Sequence, residues 1–332
     1  MERESRTLDR RRFSIAGAAA LAAGLAPTPA RIVLAHDQAT PAATPEPGSA
    51  IGFDDLGLPR IDITITVDGF EGVPADIEAG RYLVTATGSA DVEEATAAFI
   101  RPPAGLSADE LIGALGIGNP PPADSAAASP VAGGPPPEAG PLPTFVYQMT
   151  FAGGAVLYPG STGQAILDLE PGEWIVWSDD PASARPPVIF NVTGELSPDL
   201  TEPPSDINVR FIDFAIEING ALTAGDHIMR IDNQGAQPHF VDVLKGPETM
   251  TNEQIGMLFG SDMGGATPMP LPFNPDTDLR PVLSTATQSI GTLTWVHAHL
   301  DAGTYAALCF FPTAGTGAPH TMMGMHTVFT VS

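Results

Sequence analysis

The 332-residue chain has a single cysteine, Cys309, so no disulfide can form within it. Basic residues are also scarce: 14 Lys and Arg stand against 39 Asp and Glu, a formal net charge of −25. That deficit argues against nucleic acid or an anionic membrane surface as a partner, because both are held through clustered positive charge. No G-x-S-x-G, H-E-x-x-H, P-loop or dinucleotide fingerprint occurs, and no carboxylate pair stands out among so many acids. The apolar stretch from Ile15 to Leu25 is too short to span a bilayer as a mature helix.

Asp9-Arg10-Arg11-Arg12-Phe13-Ser14, the apolar small-residue stretch after it, and then Pro27 and Pro29 have the layout of a twin-arginine export signal, with small-residue exits at Ala30 and Ala35. Residues 1–35 are therefore expected to direct export to the periplasm, the cell surface or the medium, either cleaved or kept as an anchor. Removing their three acids and six arginines leaves 36 acids and 8 basic residues, a surface that would attract basic proteins at low salt. In an exported chain a lone thiol needs a reason. It is either a small buried hydrophobe or a thiolate held by a metal.

With 332 residues there is room for two domains. Residues 36–52, rich in Ala, Thr, Pro and Gly, read as a flexible linker, and folding is expected from residue 53. Ile61, Ile63, Ile65 and Val67 alternate with polar residues in the period-two pattern of a half-buried strand; Ile212, Phe214, Ile216 and Ile218 repeat it about 150 residues later. Further matches follow in the same order. Ala79-Gly80 and Ala224-Gly225 each precede a strand-like run, and Ser107 to Glu110 and Thr251 to Gln254 are capping boxes opening a short helix. Leu169-Glu170-Pro171-Gly172-Glu173-Trp174 corresponds to Leu300-Asp301-Ala302-Gly303-Thr304-Tyr305, and last strands are expected at Val188 to Val192 and Thr327 to Val331. The expected fold is all-β: two tandem Greek-key β-sandwiches, each with a short helix, over 53–200 and 207–332. Residues 119–143, rich in Pro, Ala and Gly, read as a disordered insertion in the first.

Metal-binding side chains gather in the last third. Ile231-Asp232-Asn233-Gln234-Gly235-Ala236-Gln237-Pro238-His239 runs off a strand through a turn to a histidine; Cys309 ends a strand, His320 follows a loop and Met325 precedes the last strand. The H-x4-M spacing in Pro319-His320-Thr321-Met322-Met323-Gly324-Met325 and the turn before His239 resemble the ligand motifs of the cupredoxins, the type 1 or blue copper proteins, in their plastocyanin-like form. The resemblance covers residues 207–332. It implies one copper held by the Cys309 thiolate and the His239 and His320 imidazoles, with Met325 as a weak axial ligand, a trigonal set that favours neither copper oxidation state. It also implies that His320 is the more exposed imidazole and the electron gate, rimmed by Pro312, Ala318, Pro319, Met322 and Met323. Two departures stand out: ten residues lie between Cys309 and His320, and bulky Phe240 follows His239.

The first copy carries Ser178 where the second has Cys309, and Glu94 or Ala95 near the place of His239, so no such site is expected there. His297 and His299 alternate on one strand face and could share a metal, though such a pair is usually a solvated face. Leu308 and Phe310 flank Cys309, where multicopper oxidases and copper nitrite reductases need a histidine, so an enzyme is not expected. The resemblance thus implies an exported single-electron carrier whose partner is a basic or apolar-patch redox protein, such as a cytochrome c or an oxidase. The alternatives are a metal-free cell-surface binding module, with Cys309 merely buried, and a copper storage or delivery protein.

Overall fold

A computed structural model describes residues 53–332 apart from 93, 118–140, 159–161, 180–182, 184 and 261–270. The expected export signal, the linker and most of the insertion lie outside the described residues. In the first half the strands are β1 (Arg60–Thr66), β2 (Gly69–Glu71), β3 (Asp76–Glu78), β4 (Gly80–Gly88), β5 (Ala95–Arg101), β6 (Thr150–Leu157), β7 (Thr162–Leu169), β8 (Gly172–Trp177) and β9 (Val188–Thr193), with helix α1 (Ala108–Leu115). The second half has β10 (Ile207–Ile212), β11 (Ala215–Gly220), β12 (Gly225–Asn233), β13 (Asp242–Gly246), β14 (Arg280–Ser284), β15 (Leu293–Leu300), β16 (Gly303–Leu308) and β17 (His326–Val331), with helices α2 (Asn252–Gly260) and α3 (Pro275–Asp278). The all-β expectation is met, and both capping boxes form: Ser107 with Glu110 and Thr251 with Gln254 exchange side-chain and backbone hydrogen bonds.

The halves share one sheet. Its order, β11-β10-β12-β15-β7-β4-β1-β2, reads the same in both directions once equivalent strands are matched, and β15 joins β7 at its centre through Thr294–Leu167, Trp295–Ile166 and Val296–Ala165. Each half adds its own second sheet, β3-β9-β8-β5-β6 in the first and β14-β13-β16-β17 in the second. One continuous apolar cluster runs through both halves, from Ile61, Ile63 and Ile65 to Phe211, Tyr305 and Phe329. Pairing β7 with β15 covers an edge of each half that would otherwise expose a row of unpaired backbone groups.

The duplication extends to side-chain detail. Trp174 donates its indole N–H to the Glu170 carbonyl (2.8 Å), and the Tyr305 hydroxyl donates to the Asp301 carbonyl (2.7 Å). Arg101 lies over the Trp174 ring and pairs with Glu170; Lys245 lies over Tyr305 and pairs with Asp301. Gly172 (φ 143°) and Gly303 (φ 150°) precede these rings, and a Cβ on either would come within 2.9 and 2.8 Å of the same cation's side chain. Glycine there permits both the backbone conformation and the close approach of the long side chain.

One sequence expectation needs correction. The alternation from Ile212 to Ile218 is not the counterpart of β1 but a hairpin, because the chain turns at Asp213-Phe214 and Ile212 pairs with Ala215. The counterparts of Ile61, Ile63 and Ile65 are Ile207, Val209 and Phe211, which pair in parallel with β12 as β1 pairs with β4. Ile216 shares the buried face with Phe211, its cross-strand partner, and not with Ile212. A period-two pattern cannot register a two-residue turn in its middle. Val67 likewise falls beyond β1 and is 56% exposed.

Candidate metal centre

His239 is set between β12 and β13 by a turn locked from inside. The buried Asn233 amide donates to the carbonyls of Gln237 (2.9 Å) and Gln288 (2.8 Å), and its oxygen accepts from the Gly235 amide (2.9 Å). His239 and Gln288 exchange both backbone hydrogen bonds (2.9 and 2.7 Å), which fixes the histidine backbone against the neighbouring loop. Gly235 is required by space, since a Cβ there would lie 2.6 Å from His239 Nε2 and 2.5 Å from Asp213 Oδ1. Cys309 follows β16 directly, and its amide donates to the Met325 carbonyl (3.2 Å). His320 opens a single 3-10 turn, His320–Met323, that ends at left-handed Gly324.

The ten residues between Cys309 and His320 do not separate them. Pro312 and Pro319 form a bridge, Thr313 and Ala318 close the loop (2.7 Å), and the His320 amide donates to the Phe311 carbonyl (2.9 Å). The Thr321 amide then reaches the Cys309 carbonyl (2.7 Å). The long loop is thus a small hairpin whose two feet are the two side chains of interest.

His239, Cys309 and His320 converge, and each is fully buried. Cys309 Sγ lies 3.7 Å from His239 Nδ1 and 3.6 Å from His320 Nδ1, and the two Nδ1 atoms are 2.9 Å apart. A point equidistant from three atoms so placed lies about 2.0 Å from each, close to the ~2.0–2.1 Å and ~2.3 Å that zinc, a divalent ion of similar size, keeps to imidazole nitrogen and thiolate sulfur. The donor set therefore fits a soft or borderline transition ion without rearrangement. Met325, completely buried, leads into β17 with its amide on the His320 carbonyl (3.0 Å).

Burial sets the protonation of these side chains. It pushes the Cys309 thiol up to about 12, against the opposing backbone hydrogen bonds from Phe240 and Phe311. It lowers His320 to about 3, reinforced by neighbouring His239, and lowers His239 as well, with Asp213 pulling the other way. Both imidazoles are therefore neutral at pH 7. His239 Nε2 lies 2.9 Å from Asp213 Oδ1, an acceptor, so Nε2 carries the proton and Nδ1 presents its lone pair toward Cys309 and His320.

Asp213 was missed by sequence reasoning. It sits 26 residues before His239 in the β10–β11 turn, and its other oxygen accepts from the Ala236 amide (3.0 Å), so it braces both the histidine and the turn carrying it. Asp213→Asn should weaken metal binding at this centre by about 10–100-fold, the usual effect of losing a carboxylate that orients a ligating histidine. Competition against a chromophoric chelator measures it, and an unchanged affinity would remove Asp213 from the site.

Three expectations about the surroundings are corrected. His320 is not the exposed imidazole: it is fully buried, and its Nε2 has no hydrogen-bond partner. Phe214 stands edge-on to it at 5.3 Å and Phe311 packs at 5.9 Å. Phe214 holds a left-handed backbone (φ 63°), rare for a bulky residue, and that conformation makes the turn placing its ring there. Nor is there a continuous apolar rim, because Pro312 and Pro319 are buried and Met323 is the strongly exposed member of the set. The departure at Phe240 proves harmless: its backbone N–H bonds the Cys309 sulfur whatever the side chain, and its ring is buried in the core.

Part of this cover comes from the first half of the chain. The Tyr147 hydroxyl donates to the Pro312 carbonyl (3.0 Å), and Tyr147 and Phe151 both meet Phe311 edge-on at 6.0 and 6.1 Å. Ser289 bonds the Phe151 amide and the Met149 carbonyl, each at 2.9 Å. The first half carries other side chains at the described positions equivalent to Cys309 and His239. Trp177 pairs with Ala98 as Leu308 pairs with Asp242, which makes Ser178 the counterpart of Cys309 and Ala95 that of His239. Of the other histidines, His227 is buried between Asp206 (2.5 Å) and the Thr223 carbonyl (2.7 Å), and His326 meets Asn252 (2.9 Å).

No protein-family model matches the sequence, and no curated protein does. Among solved structures, dithionite-reduced auracyanin from the photosynthetic bacterium Roseiflexus castenholzii is 20% identical over 38% of this chain and 94% of its own, with a TM-score of 0.24. Copper nitrite reductase from Nitrosomonas europaea is 9% identical over 82% of this chain and 93% of its own (TM-score 0.20), and a multicopper oxidase is 13% identical over 82% and 88% (TM-score 0.20). Scores this low carry no argument about chemistry. The expectation of a non-enzyme is corrected by the breadth of these likenesses: the copper nitrite reductase and the multicopper oxidase, both enzymes, each cover 82% of this chain. Among the described residues no helix is long and apolar enough to cross a membrane.

Proposed function

We propose that the second half binds one copper as a type 1 centre through His239, Cys309, His320 and Met325, and that the protein passes single electrons between extracytoplasmic partners. The observation that carries this reading is the buried triangle of two Nδ1 atoms and one Sγ, with a common centre about 2.0 Å from each. Bound there, copper would supply a one-electron couple. The chain's contribution is to hold two neutral imidazoles and a thiolate in fixed places, so that little moves when the charge changes. Backbone N–H groups of Phe240 and Phe311 donate to the sulfur, which stabilises the thiolate and tempers its electron donation.

Because His320 is covered, the half-buried ring of Phe214 offers its path to the surface. The acidic surface suits a basic or apolar-patch redox partner, such as a cytochrome c or an oxidase. The twin-arginine segment supports an extracytoplasmic place, and that route carries folded proteins, as a site assembled inside a sandwich requires. Adding Cu(II) to the purified protein should produce an intense visible thiolate-to-copper absorption with narrow copper hyperfine splitting. A colourless protein, or one binding copper only as Cu(I), overturns the type 1 assignment.

A further inference from the structure

The shared sheet carries a second group of metal-binding side chains on its outer face, at the opposite end of β12 from His239. Asp226 on β12 is the direct cross-strand partner of His299 on β15, and His297 lies two residues before His299, on the same face. All three point outward: their side chains are 38%, 58% and 43% exposed, respectively. His299 Nδ1 lies 2.8 Å from Asp226 Oδ1, and His297 Nε2 lies 3.9 Å from that same oxygen. Asp301 adds a second carboxylate, its Oδ1 3.8 Å from His299 Nε2. The ring of Phe53 stands edge-on to His297 at 6.5 Å, bounding it on one side with an apolar surface.

We propose that Asp226, His297 and His299 form a surface site for a borderline divalent transition ion, of the Cu(II) or Zn(II) class. Two imidazoles and a carboxylate select such ions over calcium or magnesium, which prefer all-oxygen shells. Donors held at ~2.0–2.2 Å from a shared ion lie roughly 3 to 3.5 Å apart. His299 and Asp226 are already near that spacing; His297 Nε2, 3.9 Å from the shared oxygen, lies farther than 4.8 Å from His299 Nδ1, so the exposed His297 side chain has to swing toward it to complete the set. Three protein ligands on an open face leave the remaining positions to water, unlike the closed centre around Cys309. Asp226 and Asn233 stand seven positions apart on β12, which at ~3.3 Å per residue puts the two ends roughly 23 Å apart. The surface site therefore does not depend on the copper reading of the first.

The test uses the full folded protein and Zn(II) alone, with bound metal counted after equilibrium dialysis for the unaltered chain and for the His297→Gln/His299→Gln double variant. Both side chains are exposed, so the variant should fold. The expected result is one fewer equivalent of Zn(II) bound by the variant, with the copper-dependent absorption of the Cys309 centre unchanged. A second arm replaces Asp226 with Asn and should weaken the same equivalent. With Cu(II), that equivalent should show wide, tetragonal hyperfine splitting that the double variant lacks. Equal Zn(II) stoichiometry in the unaltered and double-variant proteins would overturn the proposal. If the protein stays colourless with copper yet still loses one Zn(II) equivalent on the double substitution, the type 1 reading fails and this one stands.

Discussion

Cys309→Ser should abolish the visible absorption of the copper-loaded protein altogether and leave the fold intact. The sulfur is the one soft anionic donor among His239, Cys309 and His320, and a serine hydroxyl is not ionised near neutral pH, so no thiolate-to-copper transition remains. The replacement is nearly isosteric, and the backbone N–H groups of Phe240 and Phe311 that bond the sulfur can bond an oxygen in its place. Loss of colour with an unchanged thermal midpoint would therefore report a ligand and not a folding defect. The proton balance gives an independent readout. In the metal-free protein the thiol is pushed up to about 12 while burial keeps both imidazoles neutral, so binding a metal at neutral pH must release one proton, from Cys309. The metal-bound state holds fewer protons, so raising the pH favours it, by about tenfold in affinity per pH unit between pH 7 and 9. Calorimetric titration in buffers of different ionisation enthalpy measures that proton, and the serine variant should release none. Colour persisting in Cys309→Ser would sink the assignment of the thiolate.

Phe311→Ala should cost about 3–5 kcal/mol of stability in the metal-free protein, the range for emptying a fully buried aromatic site. Phe311 is 1% exposed and stands where three elements meet: Tyr147 and Phe151 from the first half, and His320 from the ligand loop. Its backbone also matters, since its carbonyl receives the His320 amide and its N–H bonds the Cys309 sulfur. Truncating the ring removes its packing against Tyr147 and Phe151 of the first half and opens a route for water to His320 Nε2, which is buried without a partner. Denaturant unfolding should show the lower midpoint. The copper signal should broaden as His320 gains freedom, whereas a loss below about 1 kcal/mol would mean that the loop collapses onto the space and that the first half contributes little to the centre.

That coupling gives the first half a role its own residues do not announce. Ser178 and Ala95 stand there in the positions of Cys309 and His239, yet Tyr147, Phe151 and the backbone around Met149 buttress the loop between Cys309 and His320. In this duplicated fold the His239, Cys309 and His320 cluster lies in one copy, and a face of the other copy forms part of its wall.

The sequence by itself determined what depends on short range: strand periodicity, the two capping boxes, the turn leading to His239, and the order and spacing of His239, Cys309, His320 and Met325. Each is set by residues within a few positions of one another, where backbone geometry translates directly into pattern. It also held the duplication, legible down to the matching of Trp174 with Tyr305. Only the tertiary structure decided how far the second copy's first strand was offset, because a two-residue turn leaves a period-two pattern intact. It alone brought Asp213 to His239 across 26 residues and buried His320 under Phe214 and Phe311. It alone set Asp226 opposite His299, since cross-strand register is fixed by pairing along whole strands and by turns elsewhere in the chain. The four side chains were written locally; what orients, covers and neighbours them was set by the packing of distant strands.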